Sequence, residues 1–150
     1  MMLPTARKPE GGFQFISVVH LCAVWTAYNT QRIHLSDIRF WCAAQEMVAR
    51  RCQLPAGKQP MYRQDEWQSL TGREGGITAA IARLQTAGLL TWEMTALTFP
   101  SPIIETNTPL DTMLAQISNH HRRIPVPRRL LRFLARGCSR VLLATILGHL

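Results

Sequence analysis

The chain has 150 residues, 47% of them hydrophobic, with 17 Lys+Arg against nine Asp+Glu and a formal net charge of +8. That apolar content excludes a disordered tail, which could not offset its ordering entropy, and the length fits one domain or two small ones. Four cysteines without regular spacing make no disulfide framework, so a reducing cytoplasm is the expected compartment. Residues 1–12 read as a flexible tail. They lack the apolar core of a secretory signal.

Residues 13–30 carry apolar side chains at helical spacing, and Asn29-Thr30 is the expected stop. The apolar stretch Phe15 to Tyr28 is broken by Ser17, His20 and Thr26. It is shorter than the roughly 20 residues a bilayer span needs. Residues 32–35 read as extended. Ser36 is the expected N-cap of a helix reaching about Cys52, with Asp37 in its first turn and Ile38, Trp41, Ala44, Val48 and Cys52 on one stripe. Residues 60–63 suggest a short strand, and Asp65 to Leu70 a short helix with Trp67 and Leu70 inward. After the turn 71–76 comes a helix over 77–87, with Ile77, Ala80, Ile81 and Leu84 facing the core. Gly88 stands where a helix end favours positive φ. Residues 89–93 and 96–99 read as two strands joined by a tight turn, with Trp92 in the core. Residues 101–110 read as a linker, 111–121 as a helix, and 124–127 as extended because of Pro125 and Pro127. Helices over 128–136 and 139–150 complete the pattern.

The order helix, short strand, short helix, turn, helix, strand, strand resembles the winged helix-turn-helix family of DNA-binding domains over about residues 33–100. Asp65-Glu-Trp-Gln-Ser-Leu70, Gly72 and the run from Ile77 to Gly88-Leu-Leu90 carry the resemblance. It implies a mostly α, small α+β fold with a leading helix and C-terminal helices. It also implies that helix 77–87 enters the major groove, where each base pair shows a distinct donor and acceptor pattern. The expected DNA-facing residues are Arg73, Gly75, Gly76, Thr78, Ala79, Ala82, Arg83 and Thr86, with Gln85 at the edge. The centre of this face holds Ala79, Ala82 and Thr86, a poor set for reading bases, although alanine can contact a thymine methyl. Gly75-Gly76 is either a plain turn or a place where backbone N–H groups meet a phosphate. The wing, Thr91 to Thr95, has no Arg or Lys.

Residues 120–150 hold seven arginines and no acid, which leaves a charge of +1 on the remainder of the chain. Arg122, Arg123, Arg128, Arg129, Arg132 and Arg136 are the expected phosphate-binding set, because clustered cations without acids suit a polyanion. Arginine-rich usage also follows from a genome rich in G and C. Residues 139–150 are almost wholly apolar and must be buried by something. Residues 111–150 are open to several readings: packing against the preceding domain, a homodimer interface, an incomplete second helix-turn-helix, or a helix on a membrane surface. The third reading resembles, in architecture, the two-domain replication initiators of plasmids and phages.

No catalytic constellation stands out, so an enzyme is not expected, nor is a cofactor, a metal or a small-molecule substrate. Gly57-Lys58 lacks the rest of a phosphate loop. His120 and His121 are adjacent and would point apart on a helix. Cys42 and Cys52 read as small apolar residues within a helix, and Asp65-Glu66 as the negative first turn of one. Duplex DNA is the expected partner, in replication initiation or transcriptional regulation of a mobile element. The alternative is a protein-interaction module that uses the same scaffold without DNA.

Overall fold

A computed structural model describes residues 11–150. In chain order the elements are β1 (Phe13–Ser17), α1 (Val18–Asn29), α2 (Leu35–Cys52), a 3-10 turn at Ala56–Lys58, α3 (Gln64–Thr71), α4 (Ile77–Thr86), β2 (Thr91–Glu93), β3 (Ala96–Thr98), α5 (Pro109–Ala115), β4 (Arg123–Pro127), α6 (Arg128–Arg136) and α7 (Arg140–Leu147). Among the described residues this is a small α+β protein, 54% helical, with seven α-helices and two small antiparallel sheets.

Helix α2 is the centre. Twelve of its 18 residues are buried, so it is covered on several sides and not along one stripe. Helices α3, α4 and α6 and strand β1 all pack on it. The single expected stripe therefore understates its burial, and its last member, Cys52, is exposed at the helix end. The expected Ser36 cap is also displaced, since His34 is the N-cap. The His34 backbone N–H donates to Asp37 Oδ2 at 2.8 Å, so the carboxylate one turn inside does the capping.

Residues 13–17 depart most from expectation. They form β1, paired antiparallel with β4 from Phe13 opposite Pro127 to Ser17 opposite Arg123. The helix expected over 13–30 begins only at Val18, where the Ser17 side chain accepts from His20 N and so caps the N-terminus of α1. Proline can stand in β4 because a two-stranded ribbon leaves each strand an edge whose N–H groups need no partner. The flexible tail expected over 1–12 lies outside the described residues except for Gly11 and Gly12. These two are docked, for Gly12 O accepts from Arg128 N at 3.0 Å and Gly11 O from Arg128 Nη1 at 3.0 Å.

The hairpin β2–β3 pairs Thr91 with Thr98 and Glu93 with Ala96. Gly88 carries the expected positive φ, +73°, and turns the chain out of α4. Buried Leu89 and Leu90 then anchor the approach to the hairpin. Residues 60–63 form no strand, but Tyr62 N donates to Met94 O at the hairpin turn, 2.8 Å away. Trp92 packs edge-on against buried Trp67 at 5.5 Å between ring centroids.

The expected helix over 111–121 is shorter and begins earlier. Thr108 caps α5, Pro109 opens it, and Asn119, at φ +54°, lies in the turn that follows. His120 and His121 are therefore off the helix, and their rings touch at 4.1 Å between centroids instead of pointing apart. Leu131, Leu134 and Ala135 of α6 belong to the same core as Ile38 and Trp41 of α2, so the segment after residue 110 packs against what precedes it. The apolar α7 is not enclosed. Leu142, Leu143 and Ile146 rest on that core, whereas Val141 is 76% exposed.

Candidate nucleic-acid interface

Ile77, Ala80, Ile81 and Leu84 of α4 are buried as their spacing expects, which turns Thr78, Ala79, Ala82, Gln85 and Thr86 to the exterior. No side chain among the described residues caps this helix. Its N-cap is Gly76, at φ +80°, a conformation that a residue with a Cβ adopts only with strain. Gly75 has neither a positive φ nor a neighbour within 4 Å of where a Cβ would sit. Of the two glycines, Gly76 alone has its identity fixed by the backbone.

Arg83 differs from its neighbours. Its Nε and Nη2 donate to the two carboxylate oxygens of Asp37 at 2.7 and 2.8 Å, and the Asp37 side chain is fully buried. The hydrogen bond and the charge of Asp37 raise the Arg83 pKa above its usual value despite some desolvation. Arg83 therefore ties the end of α4 to the start of α2, with two of its five donors held by Asp37.

The expected phosphate-binding arginines divide in the same way. Arg128 is 6% exposed, inside the protein, where it forms a two-point ion pair with Glu46. Arg132 reaches the same carboxylate at 3.3 Å. Burial alone would raise the Glu46 pKa, but the hydrogen bond and charge of Arg128, with help from Arg132 and Arg50, hold it below the usual carboxylate range. Arg50 also lies 3.6 Å from Glu66, which takes two bonds from Arg51, so one ion network joins α6, α2 and α3. Arg122 donates to the backbone oxygens of Ser118 and Leu150 at 2.5 and 2.8 Å. Arg123, Arg129 and Arg136 are exposed. Arg128 is thus withdrawn from the phosphate-binding set, because a buried charge with a full partner cannot also reach a polyanion.

A different cationic group forms at the entry to α4. Arg39 of α2 donates to Thr71 O at 2.6 Å and Ala135 O at 3.0 Å, which holds it beside the end of α3. Arg136 donates to Ser69 O at 3.2 Å and passes 3.3 Å from where a Cβ on Gly72 would sit. The Arg73 guanidinium lies over Gly76, 3.9 Å from the corresponding point there. Desolvation lowers the Arg39 pKa, and the charge of Arg73 lowers it further. None of the ion pairs among the described residues involves these three side chains.

Sequence reading found Arg73 and Arg136 separately and missed Arg39. Its only local sign is a cation within the otherwise apolar run of α2. Convergence of three residues from positions 39, 73 and 136 depends on the docking of α6 against α2 and α3, which no spacing rule reports. The hairpin adds no cation: Thr91, Glu93, Met94 and Thr95 are exposed.

These features define a small, mostly helical α+β protein with a cation-rimmed, uncapped helix on its surface. No family model, curated protein or solved structure matches the chain. No helix among the described residues is long and apolar enough to cross a membrane.

Proposed function

We propose that the protein binds duplex DNA as a winged helix-turn-helix, with α3 and α4 as the helix-turn-helix and β2–β3 as the wing. The observation that carries this reading is the trio Arg39, Arg73 and Arg136, without a carboxylate partner among the described residues, at the entry to a helix whose outer face is exposed. Arginine forks suit phosphate oxygens, and the uncapped N–H groups of α4 add the positive end of a helix dipole beside them. The order α2, α3, α4, hairpin supports the same reading, as does the Tyr62–Met94 bond that draws the segment before α3 to the hairpin turn.

Phosphate contacts then fix the position of α4 in the groove, while its small outer side chains read little sequence. The wing, without cations, contributes shape and not charge. Replication initiation or transcriptional regulation as the process served rests on the family resemblance alone.

The test is fluorescence anisotropy with a labelled duplex of about 20 base pairs. Ala79→Glu and Ala82→Glu place a carboxylate on the exposed face of α4 and should weaken binding at least tenfold, about 1.4 kcal/mol, with the melting temperature unchanged. Equal affinity in both variants would remove α4 from the interface. The uncharged outer face of α4 favours a second reading, a protein partner seated there. Wild-type protein with no affinity for duplex DNA at low salt would select it.

A further inference from the structure

Under α7 the apolar packing is incomplete. A cavity of about 180 Å³, partly open to the exterior, lies between α1, β4, α6 and α7. Trp25 and Trp41 form part of its wall, Leu130 and Leu134 of α6 another part, and Leu143 and Ile146 of α7 cover it. Among the described residues no charged side chain lines it. Protein interiors rarely keep voids larger than a water molecule, and an apolar hole of about 150 Å³ stays dry and takes up a molecule such as benzene. Water is disfavoured because it would find almost no polar partners.

Two further observations bear on the occupant. The wall residue Trp41 is 2% exposed, and its indole N–H has no acceptor among the described residues. Helix α7, which forms one wall of the cavity, has no fully buried residue of its own. Its seat is therefore shallow, made by the partly buried Leu142, Leu143 and Ile146.

We propose that this cavity binds one small uncharged apolar molecule, of the size of a single aromatic ring or a six-carbon chain, with α7 as its cover. A charged ligand would lie against apolar walls without a counter-charge, which is strongly unfavourable. A helix of a second copy is far too large for the volume.

The experiment titrates the full chain with benzene, 1-hexanol and sodium hexanoate, following tryptophan fluorescence and the melting temperature. Two of the four tryptophans, Trp25 and Trp41, stand in the cavity wall and respond to occupancy. Benzene and 1-hexanol should give saturable fluorescence changes and raise the melting temperature with concentration, as any ligand of the native state does. Hexanoate at neutral pH should do neither. Leu143→Trp fills the cavity from the α7 side and should weaken benzene binding by roughly tenfold or more. Should that variant fail to fold, the contrast between 1-hexanol and hexanoate still decides. No saturable binding up to the solubility of benzene would overturn the proposal, and so would equal binding of hexanoate. A concentration-dependent dimer that benzene does not perturb, with no ligand signal, would overturn it in favour of a second copy.

Discussion

Arg128 and Glu46, 82 positions apart, meet inside the protein, with Nη2 2.8 Å from Oε1 and Nε 3.0 Å from Oε2. This pair fixes α6 on α2. The same arginine holds Gly11 and, through its backbone N–H, Gly12. An arginine that composition assigns to a polyanion is thus a structural link among three parts of the chain.

Its removal leaves a buried carboxylate without its main partner. Arg128→Ala should cost about 3–5 kcal/mol of stability, the usual range for breaking a buried ion pair from one side. Arg129→Ala, its exposed neighbour, should change stability by less than about 0.5 kcal/mol. Urea denaturation of the two variants beside wild type checks both values. Equal midpoints would show that the pair contributes nothing.

Acid dependence follows from Glu46. Its folded pKa is depressed below the reference value of 4.5, so its contribution is present above the unfolded pKa and fades as pH falls through the folded one. Glu46→Gln should lower the melting temperature at pH 7 and flatten its fall below about pH 4.5. Melting curves of both proteins from pH 7 to pH 2.5 measure this. Parallel curves over the whole range would contradict it.

Asp37 and Arg83 make the second charged tie. Arg83→Ala leaves a buried carboxylate with the His34 N–H as its remaining donor among the described residues and should cost about 1–3 kcal/mol. Because Asp37 holds the Arg83 guanidinium by two bonds and turns it toward α2, affinity for duplex DNA at 20 °C should stay within about twofold, less than about 0.5 kcal/mol. A tenfold loss of affinity would return Arg83 to the DNA-binding set.

The two glycines before α4 should behave oppositely. Gly76→Ala imposes a Cβ at φ +80° and should cost about 1–2 kcal/mol. Gly75→Ala meets nothing among the described residues and should be neutral, or stabilise by about 0.4–1 kcal/mol by restricting the unfolded chain. Thermal denaturation distinguishes them. Equal losses would show that the turn needs both glycines.

The parts of the fold that sequence displays are those set by local chemistry. The buried side of α4, the positive φ of Gly88, the hairpin and the extended prolines of β4 follow from spacing and from residue type. What it concealed depends on distant partners. Phe15, Val18, Val19 and Cys22 match helical spacing, yet 13–17 become a strand because residues 123–127 supply the ladder. Charge counts place cations in a segment but do not say which of them find carboxylates. Arg128 does, through Glu46, and Arg136 does not among the described residues. Arg39 entered the candidate site only because α6 brings Arg136, and the turn brings Arg73, to the end of α3 beside it.

The most direct measurement is the salt dependence of duplex DNA affinity for wild type and for the double variant Arg73→Ala, Arg136→Ala. Each phosphate neutralised contributes about 0.9 to the slope of log affinity against log salt. Wild type should bind at low salt with a steep negative slope, and the double variant should bind more weakly with a slope shallower by about 2. No binding by wild type at low salt, or an unchanged slope in the double variant, would contradict a DNA interface at the entry to α4.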